Sequence, residues 1–134
     1  MQYVFGVFLI LHGLIHTSYL TRGPEPAGPV AWPFHLEQSW VLSGVGLAQT
    51  PVRALGTLLC VLSIVLLVAA GLSVMGLVIP LAWWRPLTIA ATVASLLLLV
   101  LYWHPWLAVG ALLNVVVLVA LLWANWSPVA APAF

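Results

Sequence analysis

Residues 54–79, ALGTLLCVLSIVLLVAAGLSVMGLVI, run for a helix's length without one charged side chain. A stretch of this kind cannot lie on the surface of a soluble domain, and at about 1.5 Å per residue it is long enough to cross roughly 30 Å of hydrocarbon. Three further runs resemble it. The first covers about residues 3–20 and stops at TRGPEPAGP, where Arg22, Gly23 and three prolines break any helix. Another covers 87–103, behind Pro86, a residue suited to a first helical turn. The last covers 106–126, behind His104-Pro105. With the second run placed at 53–79, the expectation is an all-α, polytopic membrane protein: a four-transmembrane-helix bundle in a single domain of 134 residues.

The surroundings of these runs agree with that expectation. Only 4% of residues are charged, and the three arginines, two glutamates and absent lysine give a formal charge of +1. Such a chain cannot clothe a soluble core, and it cannot neutralise the phosphates of a nucleic acid, so that partner is excluded. Tyr3, Tyr19, Trp83, Trp84, Tyr102, Trp103, Trp106, Trp123 and Trp126 stand at the ends of the runs, where amphipathic rings favour the headgroup level. The N-terminal run has no basic residue before it and no small-residue cleavage site after it, which reads as a retained span. Gln2 and the final APAF offer no lipidation signal.

Four antiparallel crossings put both termini and the LAWWRP connection at one end, the terminal face. The 21–52 connection and the YWHPW turn fall at the other, the loop face. Charge does not orient the chain, because Arg22 and Arg53 lie on the loop face while Arg85 and the terminal amine lie on the other. Within the long connection, HLEQSWVLSGVGLA is expected to form a short interfacial helix, and Trp32, Phe34 and Trp40 to pack it against the spans.

This topology gathers all four histidines in the loop-face half. His12 and His16, four residues apart, share one helical face. His35 sits in the loop and His104 in the turn. Counting inward from the loop face at 1.5 Å per residue places His12, Cys60, Ser95 and Asn114 together at roughly 10–14 Å depth. Polar groups at that depth must face other helices, and Gly6, Gly13, Gly71, Gly76, Ala90, Ala91, Ala94, Gly110 and Ala111 supply the small surfaces that let helices approach. The candidate pocket is therefore His12, His16, His35, Glu37, His104 and Asn114.

Several chemistries suit such a pocket. A divalent metal would use His12, His16 and His35, with Glu37 or His104 as a further ligand; Gly13 stands where a metalloprotease helix carries its glutamate. A haem needs imidazoles on opposite sides of one iron, so His12 or His16 would require a partner from another span. Alternatively the histidines simply satisfy hydrogen bonds, His12 to Asn114 or a neighbouring carbonyl, His16 and His104 to interfacial water. A small transporter would need intramembrane carboxylates, and none is present, so only the histidines could carry protons.

Other residues have plainer roles. His35 with Glu37 lacks a nearby nucleophile and reads as loop polarity. Cys60 reads as an inert small hydrophobe, and its being the only cysteine rules out a disulfide or CxxC motif within the chain. The Asn125-Trp126-Ser127 sequon abuts the membrane and Pro128. Arg53, Arg85 and Trp84 read as interfacial anchors able to meet a lipid phosphate.

The first span, FGVFLILHGLIH, and the strings HGLIH, AWP, SW and WWRP in this order resemble the DoxX-like group and other small four-helix bacterial membrane proteins. The resemblance implies the four-helix architecture and a place in the bacterial cytoplasmic membrane, and it carries no site residues. Function on this reading is that of a non-enzymatic subunit or scaffold, partnered by the bilayer and by other membrane subunits or further copies of itself. A haem- or metal-binding redox protein is the alternative, and a small transporter the second alternative.

Overall fold

The structure is a computed structural model and describes residues 1–21 and 33–129. Arg22, Trp32 and the proline-rich stretch 23–29 lie outside the described residues. What is described is all-helical: α1 (Gln2–Ile15), α2 (Gln49–Val74), α3 (Trp84–Leu101) and α4 (Ala108–Leu122), with no strand among the described residues. Single 3₁₀ segments follow α1 (His16–Tyr19) and precede α3 (Leu81–Trp83) and α4 (Pro105–Leu107). Among the described residues, three helices are long and apolar enough to cross a membrane: Gln49–Val74, Leu81–Leu101 and Pro105–Leu122.

The helix ends correct the expected boundaries. The second run stops at Val74 and not at 79. Gly76 takes φ +72, its N–H donates to the Ser73 carbonyl, and the Leu77 N–H donates to that of Leu72. This paired closure needs a left-handed residue, which glycine supplies at little steric cost, so Gly76 ends a helix instead of lining an interface. The fourth helix ends at Leu122, and Asn125 (φ 48) turns the chain beyond it. The Arg85 guanidinium donates to the Leu121 carbonyl and to Asn125 Oδ1 (2.8 Å), capping α4 from α3. Arg85 is thus spent on a helix end and is not a free lipid anchor. Trp84, too, is buried in the core beside Leu67, Ala91 and Leu121. Arg53 keeps an exposed position, 3.8 Å from Glu37, where an ion pair contributes little.

The short helix expected within HLEQSWVLSGVGLA is absent, and residues 40–46 form successive turns. Backbone bonds such as Ser43 N–H to the Ser39 carbonyl persist, but side chains interrupt the ladder. Ser39 Oγ accepts from the Leu42 N–H, Ser43 Oγ accepts from the Ser39 N–H, and Gly46 at φ +85 ends the run. The segment is nevertheless docked, because Ser39 Oγ donates to the Leu101 carbonyl (2.6 Å) and Trp40 Nε1 to that of Val100 (2.7 Å), the free carbonyls at the end of α3.

Consecutive helices pack in sequence, α1 on α2, α2 on α3 and α3 on α4. The α1–α2 crossing is closest at Gly6 and Gly71, where a Cβ on Gly71 would lie 2.6 Å from the Gly6 carbonyl oxygen. Tyr19 and Tyr102, expected at the headgroup level, are buried instead, and the Tyr102 hydroxyl donates to the Val52 carbonyl. Trp83, Trp103, Trp106 and Trp123 remain exposed at the helix ends. A Gly71→Leu substitution should force α1 from α2 and cost about 1–3 kcal/mol, read as a lowered unfolding midpoint in detergent.

Candidate functional site

Hydroxyls inside an apolar helix are most simply satisfied by the carbonyl four residues back. Ser63, Thr88 and Thr92 do this, donating to Leu59, Trp84 and Thr88 at 2.6–2.7 Å. Ser95 does not. Its Oγ lies 2.8 Å from His16 Nε2 and 2.8 Å from Asn114 Nδ2, joining the end of α1 to α3 and α4. His12 Nε2 lies 3.1 Å from Asn114 Oδ1, and His16 Nδ1 lies 2.9 Å from the His12 carbonyl oxygen. From α2 the Cys60 thiol donates to the His16 carbonyl at 3.1 Å, so every helix contributes. The four-residue layer expected from depth alone, His12, Cys60, Ser95 and Asn114, is assembled here, with His16 added.

Proton counting assigns direction to every bond in this ring. The His12 carbonyl can only accept, so His16 Nδ1 carries a hydrogen. Were Nε2 protonated as well, the Ser95 hydroxyl hydrogen would have no acceptor, so Nε2 accepts from Ser95. Ser95 has then spent its one hydrogen and accepts from Asn114 Nδ2. Asn114 Oδ1 is left to accept from His12 Nε2–H. The chain of donors closes on itself: His12 to Asn114 to Ser95 to His16 to the His12 backbone.

A row of rings runs beside it. Phe5, Phe8, His12, His16 and Tyr19 follow one another along one face of α1 and the 3₁₀ segment that continues it, with centroids 6.0, 5.7, 5.4 and 6.4 Å apart. Phe34 from the loop meets the Tyr19 end at 5.0 Å, and Trp126 meets the Phe5 end at 5.1 Å. Spacings of 3, 4, 4 and 3 mark one helical stripe, so Tyr19 was findable from sequence by the same rule that pairs His12 with His16. Phe34 and Trp126, which come from other segments, share no helical spacing with the row.

The six candidate pocket residues do not form one pocket. His12, His16 and Asn114 are buried in the ring. His35 and His104 line a separate surface cleft of about 390 Å³ with Gln38, Ser39 and Trp40. Glu37 is exposed against Arg53. His104 Nδ1 accepts from the Trp106 N–H at 3.2 Å, making it the cap of the 3₁₀ turn before α4. The proposed metal set of His12, His16 and His35 is divided between interior and surface, and no three His, Cys, Asp or Glu side chains gather for an ion among the described residues. His16, 1% exposed, does not reach interfacial water, and both its nitrogens are occupied, so it has none to offer an iron.

Ser95, His16 and the His12 carbonyl have the distances of a nucleophile, a base and the group that orients it. Reaction requires access, however, and Ser95 is fully buried (0% exposed) while Asn114 already donates to its oxygen. The arrangement serves as a clamp. Comparison with protein-family models, with curated proteins and with solved structures finds no match.

Two outcomes follow. Ser95→Ala, which strands His16 Nε2 and Asn114 Nδ2 together, should cost about 1–2 kcal/mol in thermal unfolding, well above Ser63→Ala, which removes only a bond within one helix. A fluorophosphonate probe should leave Ser95 unlabelled; labelling lost in Ser95→Ala would reveal a route to the hydroxyl and overturn the clamp assignment.

Proposed function

We propose that the protein crosses the bilayer four times in a bacterial cytoplasmic membrane and serves there as a non-enzymatic subunit or scaffold of a membrane assembly, with a histidine-lined pocket toward one face. The observation that carries this reading is the distribution of polarity. The buried ring pairs each of its donors with an acceptor at the centre, while large apolar side chains are exposed on every helix. Such an inversion suits hydrocarbon as solvent. Length supports the fourth crossing, since fourteen residues of α1 and four of the 3₁₀ turn reach roughly 29 Å. The resemblance to the DoxX-like group points to the same architecture.

The subunit role draws on α4. Of its fifteen residues only Asn114 and Leu121 are buried, and Val109, Leu112, Val116 and Val119 face outward. A helix so lightly used by its own fold is the natural contact for a second copy or another membrane subunit.

Single cysteines test both parts, because Cys60 is buried. Tyr3→Cys and Val78→Cys should react with an impermeant maleimide from one side of the membrane, and Trp40→Cys and Trp103→Cys from the other. Tyr3 and Trp40 reacting from the same side would remove the first crossing. Val116→Cys should form crosslinks to a neighbouring chain in native membranes, and a strictly monomeric, uncrosslinked particle would overturn the subunit role.

A further inference from the structure

The direction of the hydrogen-bond ring has a chemical consequence at its open end. His12 Nε2 is committed as a donor to Asn114, so Nδ1 is a bare lone pair. Nδ1 has no partner among the described residues, although His12 is only 9% exposed. That nitrogen is also not sealed in protein, since the one buried side-chain polar atom without a partner among the described residues is the Tyr19 hydroxyl. His12 lines a chamber of about 220 Å³ between α1 and α4, walled by Tyr19, Phe34, Trp106 and Leu107. Ile15 and Val109, both exposed, stand at its rim. In a bilayer that rim faces acyl chains, so what enters comes from the lipid phase.

A second hollow of about 250 Å³ lies further along the same seam. It shares Leu113 with the chamber and continues between α1 and α4 past Phe8 and Phe5 to Trp126, with apolar side chains along its length. From His12 to Phe5 is seven residues, or roughly 10 Å of helix. The two hollows together describe a guest with a compact head beside His12 and one apolar tail. A chamber somewhat larger than the roughly 150 Å³ that accommodates benzene, with aromatic walls, suits a six-membered ring as that head. The lone pair sets the head's polarity: it must donate a hydrogen bond.

We infer that the crevice between α1 and α4 binds a single-tailed, hydroxyl-bearing ring amphiphile of the alkylphenol class, whose O–H donates to His12 Nδ1 and whose chain lies in the groove beside Phe8 and Phe5. The inference rests on the four-span reading, which supplies the lipid-side entrance. At His12 itself the head must donate, because the donor there is already spent within the fold.

The test uses the full chain, labelled with ¹⁵N-histidine, in lipid nanodiscs. The probes are 4-octylphenol and its methyl ether 4-octylanisole, which is of similar shape and has no O–H. The phenol should move the His12 Nδ1 resonance saturably; the ether should bind roughly fivefold more weakly and leave Nδ1 in place. Leu113→Trp fills the junction of the two hollows from a partly exposed position and should abolish the response with helicity and melting unchanged. An unsaturable response to the phenol, an ether that binds as tightly, or a folded Leu113→Trp protein that titrates like the wild type would each overturn the proposal. The maleimide pattern reports the four-span reading separately, so failure of one is told apart from failure of the other.

Discussion

An interior without water makes a stranded polar group costly, and the pairing this enforces organises the centre of the protein. Five polar groups from four helices meet at one level, and no pair of them could be satisfied alone. His16 needs Ser95, Ser95 needs Asn114, and Asn114 needs His12. Because the ring closes on the His12 carbonyl, α1 supplies both its first donor and its last acceptor. Register among α1, α3 and α4 is therefore set by hydrogen-bond geometry, a more selective device than apolar contact between helices whose surfaces are all alike.

The ring matters most where packing is least. α1 packs on α2 through glycines that allow backbone contact, and α2 packs broadly on α3. Between α1 and α4 the backbones stay apart, and the seam is bridged by His12 with Asn114 and by the edge contact of Phe5 with Trp126. A seam held at a few points leaves hollows along it, one between these two contacts and the other beyond His12 toward Tyr19. Arg85 holds the far end of α4, so the helix is fastened near its middle and at its C-terminus while its outer face stays uncovered. One economy thus explains a rigid centre and an open flank.

Helix ends show where pattern reading meets its limit. Apolar runs announce that helices exist, but a run of hydrophobic letters continues through a Gly-terminated end, as at Gly76, or a 3₁₀ transition, as at His16, because neither changes polarity. Trp84 and Arg85 failed as anchors for a related reason. Their place near a boundary was legible, while the core at Leu121 and the bare carbonyls of α4 that drew them in belong to a helix thirty residues later.

From sequence alone followed the apolar helices, their order, and the depth that places His12, Cys60, Ser95 and Asn114 in one layer, since rise per residue and the cost of stranded polarity are local arithmetic. Tertiary structure decided which partner each polar atom takes, and with it the separation of His35 and His104 from the buried histidines. It also decided that His12, with one imidazole nitrogen unpaired, lines a chamber between α1 and α4. Those outcomes depend on the angles at which helices meet, and no spacing along a single chain encodes an angle between two of its parts.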